Sequence, residues 1–460
     1  MSDWVSGIYL ATAICFIVSL KLMNSPRTAR LGNGLAALGM GAAIVVTFFL
    51  PGFNAANVIW ILVALLIGTV IGFVSARQVQ MTAMPQMIAL FNGLGGGAVA
   101  LVATIEFMRG STHPFGSILT IVLSTLIGAI SFSGSMIAYG KLQELIPGRS
   151  IGYPGQKPIN LVLFASAIAL TFFVIGTGGT NGAFVAILIV SLLLGVLAVL
   201  PIGGADMPVV ISLLNSLTGV AAGLAGFVMN NTALLIGGGL VGASGLILTL
   251  QMCKAMNRSL ESVLFGALGG NSRAAATAAS LSQGNIRSYS VEDAAIVFAS
   301  ANSVIIVPGY GMAVAQAQHA VKDLANKLAE MGIEVKYAIH PVAGRMPGHM
   351  NVLLAEADVS YDQLFDLDEI NSSFPETDVA LVIGANDVTN PAARYDRNSP
   401  IFGMPILDVD KAKTCMVSKR SMNPGYAGVD NELYAMPNTV MLFGDAKATV
   451  SKLTAALNDF

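Results

Sequence analysis

Nine apolar stretches crowd into the first 258 residues, at about 4–22, 34–50, 56–75, 84–107, 116–139, 159–176, 183–200, 207–229 and 233–253. A bilayer core of about 30 Å takes roughly 20 apolar residues as a helix. In lipid, only helices and closed barrels satisfy their own backbone groups. The spacing therefore predicts an all-α membrane bundle of about nine spans. Asp3 precedes the first stretch, Lys21 follows it, and no small-residue cleavage pattern appears, so it reads as a span and not as a secretion signal.

The charge changes sign where the apolar stretches stop. Residues 1–258 hold 10 Lys/Arg and 4 Asp/Glu, whereas residues 259–460 hold 14 and 22. Only 11% of the chain is charged, against about 25% in soluble domains, and 54% is apolar, which excludes disorder. The 49 glycines have no triplet repeat and fit close-packed membrane helices. A net charge of −2 gives no hint of a nucleic-acid partner. Cys15, Cys253 and Cys415 form no CxxC pair, and His113, His319, His340 and His349 form no HExxH, so no metal site is expected.

Loop charges orient the bundle. With the N-terminus outside, the inner loops collect Lys21, Arg27, Arg30, Arg77, Lys141, Arg149, Lys157, Lys254 and Arg258, and the outer loops only Arg109. That satisfies the positive-inside rule and puts the C-terminal part in the cytoplasm. Three regions follow: a membrane domain over 1–258, a hinge over 259–289 marked by the small, polar run Gly266–Gly284, and a soluble domain over 290–460. Ser290-Val-Glu-Asp293 resembles a capping box and predicts a helix over about 291–301.

The soluble part reads as a Rossmann-like, doubly wound parallel sheet. Ser303–Val307 is a short β-branched run leading into Pro308-Gly309-Tyr310-Gly311. A helix is expected over about Met312–Met331, ended by Gly332, with the next strand over Ile333–Ile339. The G-x-G turn lets backbone N–H groups approach a pyrophosphate at a helix start, although Val314 occupies the third glycine's place. Asp378–Ile383, Met404–Asp408, Cys415–Ser418 and Val440–Phe443 read as further strands. Ligands of such sheets sit at the carboxyl ends of the strands.

Cofactor choice follows from charge. An NAD site usually has an acid after the second strand, but here that strand ends at His340-Pro341. Lys419-Arg420-Ser421 instead stands at a strand end and suits a 2′-phosphate, which favours NADP(H).

Polar residues within the spans are few. Asn92 lies in the fourth; Ser124, Ser131 and Ser135 share a face of the fifth. Ser212, Asn215, Ser216 and Gly219 share a face of the eighth, and Asp206 lies just before it. These groups either line a wet path for a proton or hydrogen-bond between helices. Gly219, Gly223, Gly226 and Gly237–Gly239 read as a close-packing surface.

Seven motifs then carry a resemblance. They are Gly203–Val210 (GGADMPVV), Met252–Arg258 (MCKAMNR), Pro308–Gln318 (PGYGMAVAQAQ), His340–Glu356 (HPVAGRMPGHMNVLLAE), Gly384–Asp387 (GAND), Lys419–Met422 (KRSM) and Gly425–Gly428 (GYAG). Nearly end to end, the chain resembles the β-subunit family of proton-translocating NAD(P)+ transhydrogenases.

The resemblance implies an α subunit that binds NAD(H) and adds further membrane helices, joined in a dimer of αβ units in the bacterial inner membrane. It implies Re/Si-specific hydride transfer directly between the nicotinamides, with inward proton flow driving NADP+ reduction. By similarity, Gly309, Tyr310, Gly311 and Val314 hold the pyrophosphate region, and Lys419, Arg420 and Ser421 the 2′-phosphate. Ala343, Gly344, Arg345, Gly384, Ala385, Asn386, Asp387, Gly425, Tyr426, Ala427 and Asp445 resemble the rest of the site and its lid. Asp387 resembles an acid near the nicotinamide that couples redox to proton state. Asp206 and Asn215 match positions that affect translocation, and Asn92 and Ser131 complete the candidate path. Some family members carry a proton-carrying histidine where this chain has Asn92, which cannot titrate in the physiological range. The titrating group is therefore expected on a partner helix. The competing reading is an NADPH-sensing membrane transporter or channel.

Overall fold

The computed structural model describes residues 3–50, 55–80, 83–110, 114–148, 150–177, 180–265, 286–346, 348–397, 399, 401–425 and 427–460. They form two compact units, one of residues 1–203 with 209–249, the other of 204–208 with 250–460. Most of the expected hinge, 266–285, lies outside the described residues.

Among the described residues, nine helices are long and apolar enough to cross a membrane. They are α1 (Asp3–Met23), α2 (Pro26–Thr47), α3 (Val58–Gln78), α4 (Met84–Arg109), α5 (Phe115–Leu142), α6 (Gln156–Gly176), α7 (Asn181–Val199), α8 (Met207–Val228) and α9 (Thr232–Ala255). The second begins eight residues before its apolar stretch because Pro26 occupies its first turn, where a missing N–H costs nothing. Helices α4 and α7 meet through stacked Phe107 and Phe184 rings, 3.9 Å between centroids. Helices α8 and α9 touch backbone to backbone. A Cβ on Gly238 would fall 2.3 Å from the Gly223 nitrogen, and one on Gly219 2.5 Å from that of Gly242. Gly219, Gly223, Gly226 and Gly238 are thus a helix-contact surface, as expected, whereas a Cβ on Gly239 would meet nothing within 4 Å. Lys141, at the end of α5, is 3% exposed, and its Nζ donates to the carbonyls of Leu200 (2.5 Å) and Ile202 (2.7 Å) where α7 ends.

In the second unit, α10 (Leu260–Phe265) and α11 (Val291–Ala299) precede the sheet. Ser290 and Asp293 form a reciprocal capping box that starts α11. The sheet comprises β1 (Ser303–Pro308), β2 (Glu334–Ile339), β3 (Leu364–Asp366), β4 (Val379–Ile383), β5 (Thr414–Lys419) and β6 (Thr439–Phe443). Its order is β3-β2-β1-β4-β5-β6 and every pairing is parallel. Chain order reverses between β1 and β4, which opens a crevice at their carboxyl ends. Ile305, Val307, Ala380, Val382, Cys415 and Val417 point into one core, with Phe374, Leu407 and Leu433 packed on them. The alternate residues Val304, Ile306, Leu381 and Met416 are equally buried, so both faces are covered.

Two local expectations are corrected. The helix expected over 312–331 is broken into α12 (Tyr310–Val314) and α13 (Gln318–Glu330), with Gln316 at φ +48° between them. The next helices are α14 (His349–Glu356), α15 (Leu367–Ile370), α16 (Ala392–Tyr395) and α17 (Ala446–Ala456). Met404–Asp408 is not a strand. Pro405 has no N–H to give a ladder, and its carbonyl accepts from His340 Nε2 at 2.8 Å. The sixth strand is instead the three-residue edge strand β3.

Candidate functional site

A cleft of about 490 Å³ opens at the β1/β4 reversal. Its lining includes Gly309, Tyr310, Gly311, Ala343, Gly344, Gly384, Ala385, Asn386, Asp387, Lys419, Arg420, Ser421 and Gly425. Thirteen of the residues singled out in the soluble part therefore share one cavity. The loops after β1 and β4 are pressed together: Gly309 N–H donates to the Ile383 carbonyl and Gly311 N–H to that of Gly384, both at 2.9 Å. A Cβ on Gly309 would lie 2.4 Å from Ala385 Cα, and one on Gly311 2.7 Å from Gly384 Cα. The glycines thus leave a backbone-walled cradle of the kind a pyrophosphate needs.

Four of the remaining singled-out residues are described, and none of them is part of this lining. Val314 ends α12 and is exposed, outside the cleft. Arg345 lays its guanidinium over the Tyr310 ring, 4.4 Å from the centroid, and its N–H donates to His349 Nδ1 at 3.0 Å. Asp445 caps α17 by accepting from the Ala448 N–H, while its neighbours Gly444 and Ala446 line the cleft. Ala427 N–H donates to Asp387 Oδ2 at 3.0 Å. Tyr426 lies outside the described residues.

Charge is concentrated at the β5 end. Lys419 is half-buried, and burial lowers its pKa, opposed by the charges of Asp387 and Asp430. Its Nζ donates to the Asn423 carbonyl. Arg420 and Ser421 are exposed. Two cationic side chains and a hydroxyl on one wall form a donor set suited to a phosphate monoester. Two buried histidines support the opposite loop. His340 and His349 are each lowered to about 4, chiefly by burial; the Arg345 charge adds to the effect at His349. Neither was singled out as a site residue, and only their places in the His340–Glu356 motif signalled them. Asn423, Pro424 and Val342 also line the cleft and were missed.

In the first unit, polar residues of α4, α5 and α8 meet. Asn92 Nδ2 donates to Ser135 Oγ at 2.9 Å. Ser131 Oγ donates to the Leu214 carbonyl at 2.8 Å and lies 2.5 Å from Thr218 Oγ1. Ser124 Oγ donates to the Ala221 carbonyl at 2.8 Å. Ser212 and Ser216 bond carbonyls of α9, those of Gly245 and Gly242. Asn215 does not share that buried face, contrary to expectation, and is exposed. It lies about 60° around the helix from Ser212, at about 100° per residue, which carries it past α9. In the second unit, Arg258 Nη1 reaches both Asp206 carboxylate oxygens, at 2.8 and 3.0 Å. Burial raises the Asp206 pKa, and the Arg258 charge and hydrogen bond oppose it.

A polytopic helical bundle joined to a doubly wound domain with a glycine-walled, cation-flanked cleft defines a membrane-attached dinucleotide-type protein. Comparison with known proteins narrows the class. The family model described as NAD(P) transhydrogenase beta subunit matches residues 5–456. The NAD(P) transhydrogenase subunit beta of Rhodospirillum rubrum is 50% identical over 459 residues, covering 98% of each chain. The chain belongs to the NAD(P) transhydrogenase β-subunit family. The role of this family is hydride transfer coupled to proton translocation, and the transporter alternative is not favoured.

Proposed function

We propose that this chain holds NADP(H) in the β1/β4 cleft, while a partner α subunit holds NAD(H) in its own domain. The observation that carries this reading is the pairing of the Gly309–Gly311 cradle with Lys419, Arg420 and Ser421 in one cavity. The cradle suits a pyrophosphate, with Tyr310 and Val314 beside it, and the cationic wall suits the 2′-phosphate that distinguishes NADP from NAD. Ala343, Gly344, Arg345, Gly384, Ala385, Asn386, Gly425, Tyr426, Ala427 and Asp445 complete the site and its lid. Bound NADP(H) supplies the hydride chemistry, and the protein supplies position and electrostatics. Asp387, held by the Ala427 N–H, is the acid at the nicotinamide end that couples cofactor state to proton state.

Asn92, Ser131, Asp206 and Asn215 mark the proton route. The buried Asn92–Ser135 contact and the part-buried Ser131–Thr218 contact support a polar thread through α4, α5 and α8. A helix of the partner supplies the titrating group that Asn92 lacks, and exposed Asn215 suits a contact with such a helix. The exchange is Re/Si-specific. The domains run over 1–258 and 290–460 with a hinge at 259–289. The N-terminus lies outside a bacterial inner membrane, with the nucleotide domain in the cytoplasm, and αβ units pair as a dimer among the lipids.

The test uses sealed inverted vesicles containing this chain and its α partner, given NADPH and an NAD+ analogue. Reduced analogue with uncoupler-sensitive acidification of the lumen is the expected result. Reduction without acidification removes the proton route as drawn. If the analogue is not reduced although NADPH stays bound and the partner is intact, the enzyme reading gives way to an NADPH-sensing transporter.

A further inference from the structure

Behind the cleft, a 3-10 turn at Glu432–Ala435 precedes β6. Asn431 starts it by accepting the Leu433 N–H at 3.0 Å. The Asn431 Nδ2 donates to the Asn386 backbone carbonyl at 3.0 Å and to Asn386 Oδ1 at 3.2 Å. Tyr434, on the same turn, donates its hydroxyl to Asn386 Oδ1 at 2.9 Å. Its ring carries Lys419 Nζ 5.1 Å from the centroid. The Tyr434 side chain is 3% exposed, and burial holds its pKa well above the ordinary phenol range. The phenol is therefore a donor at every working pH.

Two donors aimed at Asn386 Oδ1 settle which end of that amide is oxygen, leaving Nδ2 as its donor end. The ring face meanwhile attracts the Lys419 ammonium. Asn386 lines the cleft from the loop after β4, and Lys419 lines it from the last residue of β5. One buried side chain outside the lining thus touches both.

We propose that Tyr434 is a positioning residue that sets the two ends of the NADP(H) site together: its hydroxyl orients Asn386, the neighbour of the Asp387 proposed at the nicotinamide end, and its ring face holds Lys419 at the 2′-phosphate end. This rests on the placement of NADP(H) in the cleft proposed above. The two functions are separable, because Tyr434→Phe removes the hydroxyl and keeps the ring, whereas Tyr434→Leu removes both.

The experiment measures binding to the full chain with its α partner. The probes are NADPH and adenosine 2′,5′-bisphosphate, which lacks the nicotinamide. Tyr434→Phe is expected to weaken NADPH about fivefold, the worth of one hydrogen bond, and to leave the bisphosphate within about twofold. Tyr434→Leu is expected to weaken the bisphosphate as well, by about two- to fivefold. In a double-mutant cycle, Tyr434→Phe is expected to add less than its own effect once Asn386 is Ala. Tyr434→Phe keeps the side-chain volume, so this cycle decides the hydroxyl's role even if Tyr434→Leu does not fold. Lys419→Met then stands in for the ring test, and a bisphosphate affinity unchanged in Lys419→Met rejects the role given to the ring contact. An unchanged NADPH affinity in Tyr434→Phe, or an equal loss of both ligands, overturns the proposal. Bisphosphate binding that survives Lys419→Ala with Arg420→Ala instead overturns the placement of NADP(H) in the cleft.

Discussion

Asn92 on α4 donates its side-chain amide to the Ser135 hydroxyl on α5 at 2.9 Å, and both residues are buried. Neither group titrates in the physiological range. This contact can therefore orient water or a partner side chain but cannot itself carry a proton through a protonation cycle.

Replacing Asn92 by Leu strips the polar lining from this point. In sealed vesicles with the α partner, Asn92→Leu is expected to lower coupled acidification about tenfold or more, with NADPH affinity within about twofold of the parent. Unimpaired acidification would remove Asn92 from the route.

Lys419 and Arg420 stand on one wall of the cleft. A charge-assisted hydrogen bond is worth about 1.5–3 kcal/mol. Lys419→Ala with Arg420→Ala is expected to weaken NADP(H) about a hundredfold and NAD(H) less than about threefold, read by equilibrium titration. An equal loss for both nucleotides would contradict the 2′-phosphate assignment.

Gly311 faces the Gly384 backbone so closely that an added Cβ would sit 2.7 Å from Gly384 Cα. Backbone cannot swing aside as a flexible side chain can. Gly311→Ala is expected to destabilise the nucleotide domain by about 1–3 kcal/mol and to weaken NADPH, measured by thermal unfolding and titration. Wild-type values on both counts would mean that the two loops separate freely.

His340 and His349 are each lowered to about 4 in the folded chain, from an unfolded value of about 6.5. Between those values the unfolded chain binds protons that the folded chain refuses. Their contribution to stability is thus complete above about pH 6.5 and is lost as pH falls towards 4, with a slope of up to about 1.4 kcal/mol per pH unit for each histidine. The unfolding midpoint of the nucleotide domain should fall across that window, and His340→Gln should flatten the fall. A midpoint indifferent to pH there would mean that both imidazoles charge without unfolding.

Much of the architecture was legible because its signals are local. Apolar length alone marks the nine spans, and Ser303–Val307 reads as a buried strand from its β-branched run. What escaped depends on tertiary partners. The break at Gln316 interrupts a run whose apolar period continues through it. The edge strand Leu364–Asp366 is three residues long and acquires its identity from pairing with β2. Met404–Asp408 has strand-like residues, yet the Leu407 N–H goes to Val388 and the Asp408 N–H to Asn371 Oδ1. At the cleft, the glycines and the Lys419–Ser421 cluster are visible as motifs. Asn431 and Tyr434 are not, because they act from behind on residues that the chain brings to them only on folding.

The buried ammonium of Lys141 has a consequence for biosynthesis. Its acceptors, the carbonyls of Leu200 and Ile202, are made about sixty residues later than the lysine itself. While the ribosome completes α6 and α7, Lys141 has neither of these acceptors. The last turn of α5 is joined to the end of α7 only once residues 200–202 have been made. Maturation of the bundle therefore includes a waiting step in which this seam closes late, and a nascent chain arrested before residue 200 should show Lys141 more reactive to amine labelling than the finished chain does.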